Sequence, residues 1–217
     1  LSKKIVNYKE QDKIFNQLME PVPSESKELE FVIKECEDKI INGSVNFSNP
    51  RFLAFPDCGN SSAAMCGHLM LGFLNQNLIN SVHCSPTATF VEMTLINWLR
   101  EMLGYEVEKE PKDILDLGGI NVPGGTLANT VALLLARENK LPETMKNGLI
   151  NAKKPLLMFI PEGIGHYTSK AAMSWLGLGR KNIIEVKTTK KFTIDRKDLI
   201  QKIENTAGIP FVIIAYA

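Results

Sequence analysis

Residues 117–129 read LGGINVPGGTLAN and open directly into an apolar helix predicted over Thr130–Arg137. Glycines at positions 124 and 125 let the backbone approach a ligand with no side chain in between. The first amides of a helix lack intrahelical partners and carry partial positive charge, so they favour a bound phosphate. Thr126 adds a hydroxyl at the same place. The stretch therefore predicts a phosphate cradle, and a turn whose glycines serve only the helix start fits it equally well.

From residue 117 onward, short apolar strands alternate with helices. The pattern predicts strands at 156–160, 183–186 and 211–216, and helices at 166–176 and from an Asp195 cap to about 203, with Asp198 in the capping-box position. This alternation indicates parallel strands joined by helical crossovers, which is an α/β fold with a mostly parallel sheet and flanking helices. In such sheets, ligands bind at the carboxyl ends of the strands.

The preceding part of the chain predicts helices without strands. Apolar residues at helical spacing predict three of them, at 29–40, 63–75 and 86–103, with Trp98 in the core. Residues 42–65 are rich in Asn, Ser, Gly and Pro and predict a long irregular stretch. Long ordered loops tend to be functional, so this stretch is a second candidate region.

The composition is that of an ordinary globular protein and argues against several functional classes. The 217 residues are 44% hydrophobic and 23% charged, and 25 basic side chains nearly cancel 24 acidic ones. No field of one sign therefore favours nucleic acid or an anionic membrane as a partner. The apolar runs are too short to span a bilayer, and the first 20 residues lack a signal-peptide pattern. Four cysteines without a tight pairing pattern predict reduced thiols and a cytoplasmic location.

Several catalytic and metal-binding motifs are missing from the sequence. No dinucleotide fingerprint, P-loop or serine-hydrolase elbow occurs. Two histidines and three cysteines cluster in sequence, but their spacing matches no zinc pattern, and we predict that Cys84 is buried and inert and that no metal is bound.

His166 is the candidate functional side chain outside the glycine stretch. It lies a few residues after the strand 156–160, at the carboxyl-end rim of the predicted sheet. In isolation, a helix cap or a satisfied polar group explains it. Beside a phosphate site, it becomes a candidate for stacking on a planar cofactor or for hydrogen bonding to it.

A set of segments in fixed order connects the chain to a known family. The segments are NPRFL at 49–53, LNQN at 74–77, SPTATFVEM at 85–93, WLREMLGY at 98–105, PGGTLAN at 123–129, AR at 136–137, HYTSKAA at 166–172, LGLG at 176–179 and VIIA at 212–215. Together they resemble the pyridoxal-phosphate-dependent amino-acid decarboxylases of the glutamate, aromatic-amino-acid and histidine decarboxylase group. The resemblance covers roughly residue 25 to the end, and its specificity lies in the ordered set.

The resemblance implies a fold-type I, PLP-dependent transferase-like architecture and a homodimer with shared active sites. Residues 1–85 would be a helical dimerisation segment, and residues 86–217 would be the N-terminal part of an incomplete PLP-binding large domain. Phe55 and Pro56 would lie on the substrate side, and the 77–84 loop would reach the partner's site. Because the strand at 211–216 reads as buried, we also expect the chain to be part of a larger unit.

The resemblance also assigns the cofactor site. Gly124, Gly125 and Thr126 would hold the phosphate of pyridoxal phosphate, and His166 would stack on its pyridine ring as the catalytic residue of this chain. The family's Schiff-base lysine and the aspartate that pairs with the pyridine nitrogen would lie beyond residue 217. Position 127, where the family often has a polar or acidic residue, is leucine here.

The expected function is PLP-dependent decarboxylation of an amino acid, with residues 1–217 inactive by themselves. Two alternatives stay open. One is a non-catalytic, truncated relative that binds a phosphorylated ligand or pairs with another chain. The other is a PLP-dependent aldehyde-lyase on the same scaffold. Neither nucleic acid nor a membrane is an expected partner.

Overall fold

The computed structural model describes residues 4–54, 58–78, 80–150 and 152–216. The chain divides into two compact units, residues 1–89 and 90–217. The second unit contains a three-stranded parallel sheet with helices around it, which confirms the predicted α/β class. The separate roles predicted for residues 1–85 and 86–217 stay predictions.

The first unit is built from helices. They are α1 (Gln11–Leu18), α2 (Leu29–Glu35) and α3 (Ser62–Leu74), and α4 (Ala88–Met102) begins at its end. A π-helical turn and a 3-10 turn continue α2 to Gly43. Ser85 is the sole buried residue among those described in this unit, so its apolar side chains, including those of α3, lack a core of their own.

The second unit holds the sheet. Its helices are α5 (Gly125–Lys140), α6 (Thr144–Asn147), α7 (Tyr167–Trp175) and α8 (Arg196–Glu204), and its strands are β1 (Leu156–Pro161), β2 (Ile183–Val186) and β3 (Ile209–Ile213). The strand order is β2-β1-β3, and both pairs are parallel. All three predicted strands are present, although the last one begins two residues earlier than predicted and ends at Ile213.

The central strand β1 explains the layered packing. All six of its residues are buried, as expected for a parallel strand covered on both faces. Met158 and Ile160 point to one face, in the cluster that contains Leu133 and Met173 from α5 and α7. The alternate residues point to the other face, in the cluster against which α8 packs. Helices α5 and α7 therefore lie together on one side of the sheet.

Two sequence-based predictions are wrong. Trp98 is 61% exposed, because the buried face of α4 carries Met93 and Ile96, and Trp98 lies roughly 200° around the helix from Ile96. Cys84 is exposed, whereas the sequence predicted it to be buried.

A carboxylate near the end of α5 holds the start of α6. Glu138 accepts hydrogen bonds from the Thr144 hydroxyl at 2.7 Å and from the backbone N–H groups of Glu143 at 2.6 Å and Met145 at 2.9 Å. These bonds, the Thr144 hydroxyl first, favour the ionised form and hold the pKa of Glu138 below its ordinary value. A carboxylate whose pKa is lowered by folding stabilises the folded state above the unfolded-state pKa, and this stabilisation is lost as the pH falls through the folded-state pKa.

Glu138→Gln is therefore expected to lower the free energy of unfolding near neutral pH and to lose that effect in acid. The amide keeps the length of the side chain but cannot accept the same bonds on both of its terminal atoms. Urea unfolding of wild type and variant, from about pH 7 to about pH 3, measures the difference. Glu204→Gln, at an exposed glutamate of α8, is the matched control. A difference that is constant with pH would contradict the role of the ionised carboxylate.

Candidate functional site

A cleft of about 640 Å³ lies where β3 ends, between the first turns of α5 and α7. Its walls include Gly125, Thr126, His166 and Tyr216. Its volume falls in the range typical of small-molecule and cofactor sites. Its position follows the general rule that ligands of α/β proteins bind at the carboxyl ends of parallel strands.

The start of α5 has the features of an anion site. Gly124 is the N-cap, with φ +83° and ψ 162°, a backbone conformation that is essentially restricted to glycine. No side chain caps the first amides of the helix at this residue. A Cβ atom at Gly125 would meet nothing within 4 Å among the described residues, so packing against them does not require a glycine there. The missing Cβ leaves room beside amides that carry the partial positive charge of the helix.

His166 is the N-cap of α7, and its Nδ1 accepts a hydrogen bond from the backbone N–H of Thr168 at 3.3 Å. The residue also lines the cleft. Its own backbone N–H donates to the hydroxyl of Tyr216 at 2.9 Å, which ties the start of α7 to the chain after β3.

Three residues at the cleft were not singled out by the sequence analysis. Asn129 and Thr168 are joined by a hydrogen bond of 2.9 Å between Nδ2 and Oγ1, and Tyr216 is the hydroxyl partner of His166. Spacing could have indicated Asn129, which lies one helical turn after Gly125 on the same face of α5. The carboxyl-end rule could have indicated Tyr216, which follows strand β3.

The predicted site residues fall into two groups. Gly125, Thr126 and His166 line one cleft, and Gly124 precedes them directly as the helix cap. Phe55 and Pro56, predicted on the substrate side, lie outside the described residues. A helix start without a side-chain cap and a histidine at the same cleft form a donor set that fits a flat, phosphorylated molecule, and pyridoxal phosphate is such a molecule. The individual roles of these residues stay predictions.

The electrostatic character of the cleft comes from amides and hydroxyls. Of the described residues, no lysine, arginine, aspartate or glutamate lines it. A bound phosphate would therefore be held here by helix amides and hydroxyl groups rather than by ion pairs. Within the described part of the chain, no group of three or more His, Cys, Asp or Glu side chains has a metal-binding arrangement. Among the same residues, no helix combines the length and apolar character needed to cross a bilayer.

Comparison with known proteins places these features in a family context. The model of the pyridoxal-dependent decarboxylase conserved domain matches residues 12–217. An acidic amino acid decarboxylase from Xenopus tropicalis is 26% identical over an alignment of 218 positions, which covers 99% of this chain and 40% of the relative. A cysteine sulfinic acid decarboxylase from Rattus norvegicus is 25% identical over 217 residues, 99% of this chain and 41% of the relative. The chain thus spans about 40% of the length of these curated relatives.

Solved structures share the fold. Mouse CSAD in its apo form superimposes with a TM-score of 0.81 at 25% identity, covering 97% of this chain and 42% of that one. Oryza sativa TDC with PLP and tryptamine gives a TM-score of 0.78 at 22% identity, over 96% of this chain and 45% of that one. The second similarity concerns the fold alone.

Proposed function

We propose, because this chain belongs to the pyridoxal-dependent decarboxylase family, that it forms the phosphate-holding and ring-holding part of an amino-acid decarboxylase. The family's cofactor is pyridoxal phosphate, and its reaction is that of a carboxy-lyase. The observation that supports the proposal best is that the α5 N-terminus and the His166 ring line the same cleft.

The residues of this chain would bind the cofactor and orient it. The amides of Gly125 and Thr126, with the Thr126 hydroxyl, would hold the phosphate, while the His166 ring would lie against one face of the pyridine. Pyridoxal phosphate supplies an electron sink that stabilises the carbanion left when carbon dioxide departs. Contacts at both the phosphate and the ring fix the orientation of the bound molecule, and orientation of this kind accounts for a large part of catalysis. The apolar wall at Val212 and Ala215 would help to exclude water.

The covalent anchor of the cofactor would come from elsewhere in the protein. No lysine is among the described residues that line the cleft. We therefore propose that the cofactor-binding lysine, and the aspartate for the ring nitrogen, lie beyond residue 217. On this proposal, residues 1–217 by themselves position a cofactor and do not turn over substrate.

The substrate and the partner are further parts of the proposal. Two relatives are named for acidic amino acids and for cysteine sulfinic acid, which makes an amino acid with an acidic side chain the first substrate class to test. The exposed apolar side chains of α3 support a homodimer, because such a surface is normally covered. The substrate-side role of Phe55 and Pro56, the reach of the 77–84 loop and the cytoplasmic location stay predictions.

The full-length protein provides the direct test. Purified protein would be titrated with pyridoxal phosphate, and the visible absorbance of the lysine-bound cofactor recorded. A panel of acidic and aromatic amino acids would then be assayed for carbon dioxide and amine in equal amounts. An aldehyde product without carbon dioxide would instead favour the aldehyde-lyase. Absence of both cofactor absorbance and turnover would contradict the proposal and favour the non-catalytic relative.

A pair of glycine variants separates effects on phosphate binding from effects on the stability of the fold. Gly125→Ala places its methyl group in open space among the described residues, at a backbone conformation that alanine can adopt, so the free energy of unfolding should hold or rise. The same methyl group would crowd a phosphate, and we expect affinity for pyridoxal phosphate to fall by about 1.5–3 kcal/mol, which is the cost of a lost hydrogen bond to a charged group.

Gly124→Ala is the comparison for stability, since its φ of +83° predicts that alanine lowers the free energy of unfolding. The strained backbone should cost about 1–3 kcal/mol of stability. Denaturant unfolding of the apo proteins and cofactor titration of the full-length variants measure the two effects. Wild-type cofactor affinity in Gly125→Ala would place the phosphate elsewhere.

A further inference from the structure

Three side chains next to the cleft form a chain of hydrogen bonds that ends on the His166 ring. Asn129 of α5 donates from Nδ2 to Oγ1 of Thr168 at 2.9 Å. The same Oγ1 lies 2.9 Å from Nδ1 of His166, and the backbone N–H of Thr168 also points to Nδ1, at 3.3 Å. Thr168 is buried, whereas His166 lines the cleft.

The directions of these bonds determine where the ring proton sits. A backbone N–H can only donate, so Nδ1 of His166 must accept and carries no hydrogen. This holds regardless of how the amide atoms of Asn129 are assigned. Since Thr168 Oγ1 accepts from the Asn129 amide, its own hydrogen is free to donate to the same Nδ1. Two donors therefore converge on one ring nitrogen, and the neutral imidazole has its N–H at Nε2.

We propose that Asn129 and Thr168 are positioning residues that fix the His166 ring in the tautomer with its proton on Nε2, in the ring-holding role assigned above. The inference rests on the proposed function. A hydrogen on Nδ1 would oppose the Thr168 backbone N–H and remove the cap of α7. The Nε2–H tautomer avoids this cost and leaves Nε2–H as the donor that the ring offers.

Few other groups among the described cleft residues could set the tautomer of the ring. Tyr167 lies against it, with ring centroids 4.6 Å apart, and the Tyr216 hydroxyl accepts from the His166 backbone N–H. From α5, the cleft-lining polar side chains are those of Thr126 and Asn129. The hydrogen bonds from Asn129 through Thr168 are thus the main influence on the tautomer of His166 among these residues.

The test uses histidine-selective 13C labelling of the full-length apo protein, with the tautomer read from the imidazole carbons. His166→Asn identifies the His166 signals among those of the other histidines. In wild type we expect the Nε2–H tautomer. Thr168→Val keeps the shape and the backbone donor but removes the hydroxyl, so Nδ1 loses one of its two donors and the share of the Nε2–H tautomer should fall.

Asn129→Asp reverses the hydrogen bond between position 129 and Thr168. A carboxylate can only accept, so the Thr168 hydroxyl would donate to position 129 and turn a lone pair towards Nδ1, which favours the Nδ1–H tautomer. The double variant with Thr168→Val separates this relayed effect from the through-space effect of the new charge, because only the through-space effect survives without the hydroxyl. We expect a larger gain of the Nδ1–H tautomer from Asn129→Asp in wild type than in the Thr168→Val background.

The outcomes distinguish this inference from the function on which it rests. Equal changes of tautomer from Asn129→Asp in both backgrounds, or a wild-type tautomer share in Thr168→Val, overturn the positioning role of Asn129 and Thr168 whatever the cofactor does. Pyridoxal phosphate affinity is measured on the same variants and on His166→Asn. If the tautomers shift as expected and every variant binds the cofactor like wild type, the positioning role stands and the ring-holding role of His166 falls.

Discussion

His166→Ala is expected to weaken the binding of pyridoxal phosphate to the full-length protein by about 1–3 kcal/mol, roughly 5- to 150-fold in Kd, without unfolding it. This is the range found when an aromatic platform under a flat heterocycle is truncated to alanine. Turnover should fall further, because a cofactor that is held less firmly in the cleft loses the orientation on which catalysis depends. Cofactor titration and steady-state kinetics measure the two losses.

The interpretation of this variant depends on separating two functions of one side chain. His166 caps α7 as well as lining the cleft, so alanine removes both contacts. Asparagine is among the best N-cap residues and lacks the ring, whereas phenylalanine has a ring and cannot cap. We expect His166→Asn to keep wild-type stability and lose cofactor affinity. His166→Phe should lose about 1 kcal/mol of stability and retain part of the cofactor affinity.

The pair also defines the result that would contradict the proposal. Wild-type cofactor affinity and rates in His166→Asn would mean that the imidazole serves only the helix end. Its remaining role would then be to accept, at Nδ1, the hydrogen bond from the Thr168 backbone N–H.

The local pattern of apolar residues was sufficient to predict the three strands of the sheet. The run at 156–160 is fully apolar because β1 is covered on both faces, and burial on both faces removes the alternation that would otherwise identify a strand. Helix α5 was predicted from apolar spacing to begin at Thr130, but it begins at Gly125. The glycines are therefore part of the first helical turn as well as part of the turn before it, which brings their amides to the cleft.

Contacts between distant residues could not be predicted from the sequence. Asn129 and Thr168 are 39 positions apart, and only the packing of α5 beside α7 brings them together. Asp195 caps α8 as predicted, but Asp198 does not complete a capping box. Its carboxylate instead accepts from the backbone N–H of Lys187 and from Lys202, because the chain after β2 passes within reach. In both cases, tertiary neighbours decide what a polar side chain does.

The apolar helix α3 gives the second large prediction. Leu69 and Phe73 are four positions apart, hence on one face, and they are 63% and 81% exposed. If this face is covered in a homodimer, each subunit contributes both side chains. Leu69→Asp combined with Phe73→Asp should then remove about 6–12 kcal/mol of association free energy, at about 1.5–3 kcal/mol for each of the four buried side chains. The dimer dissociation constant would rise by roughly four to nine orders of magnitude.

Sedimentation of the full-length protein over a range of concentrations measures this change. Ser62→Asp combined with Ala63→Asp adds the same two charges to the first turn of α3, where the helix dipole favours them, and should leave the dimer intact. A dimer that survives the Leu69 and Phe73 substitutions would place the interface elsewhere. A monomeric wild-type protein would mean that α3 is covered within one subunit, and the same substitutions should then lower the free energy of unfolding. Because each arrangement predicts a different pair of results, one set of variants decides whether this helix joins two copies of the protein.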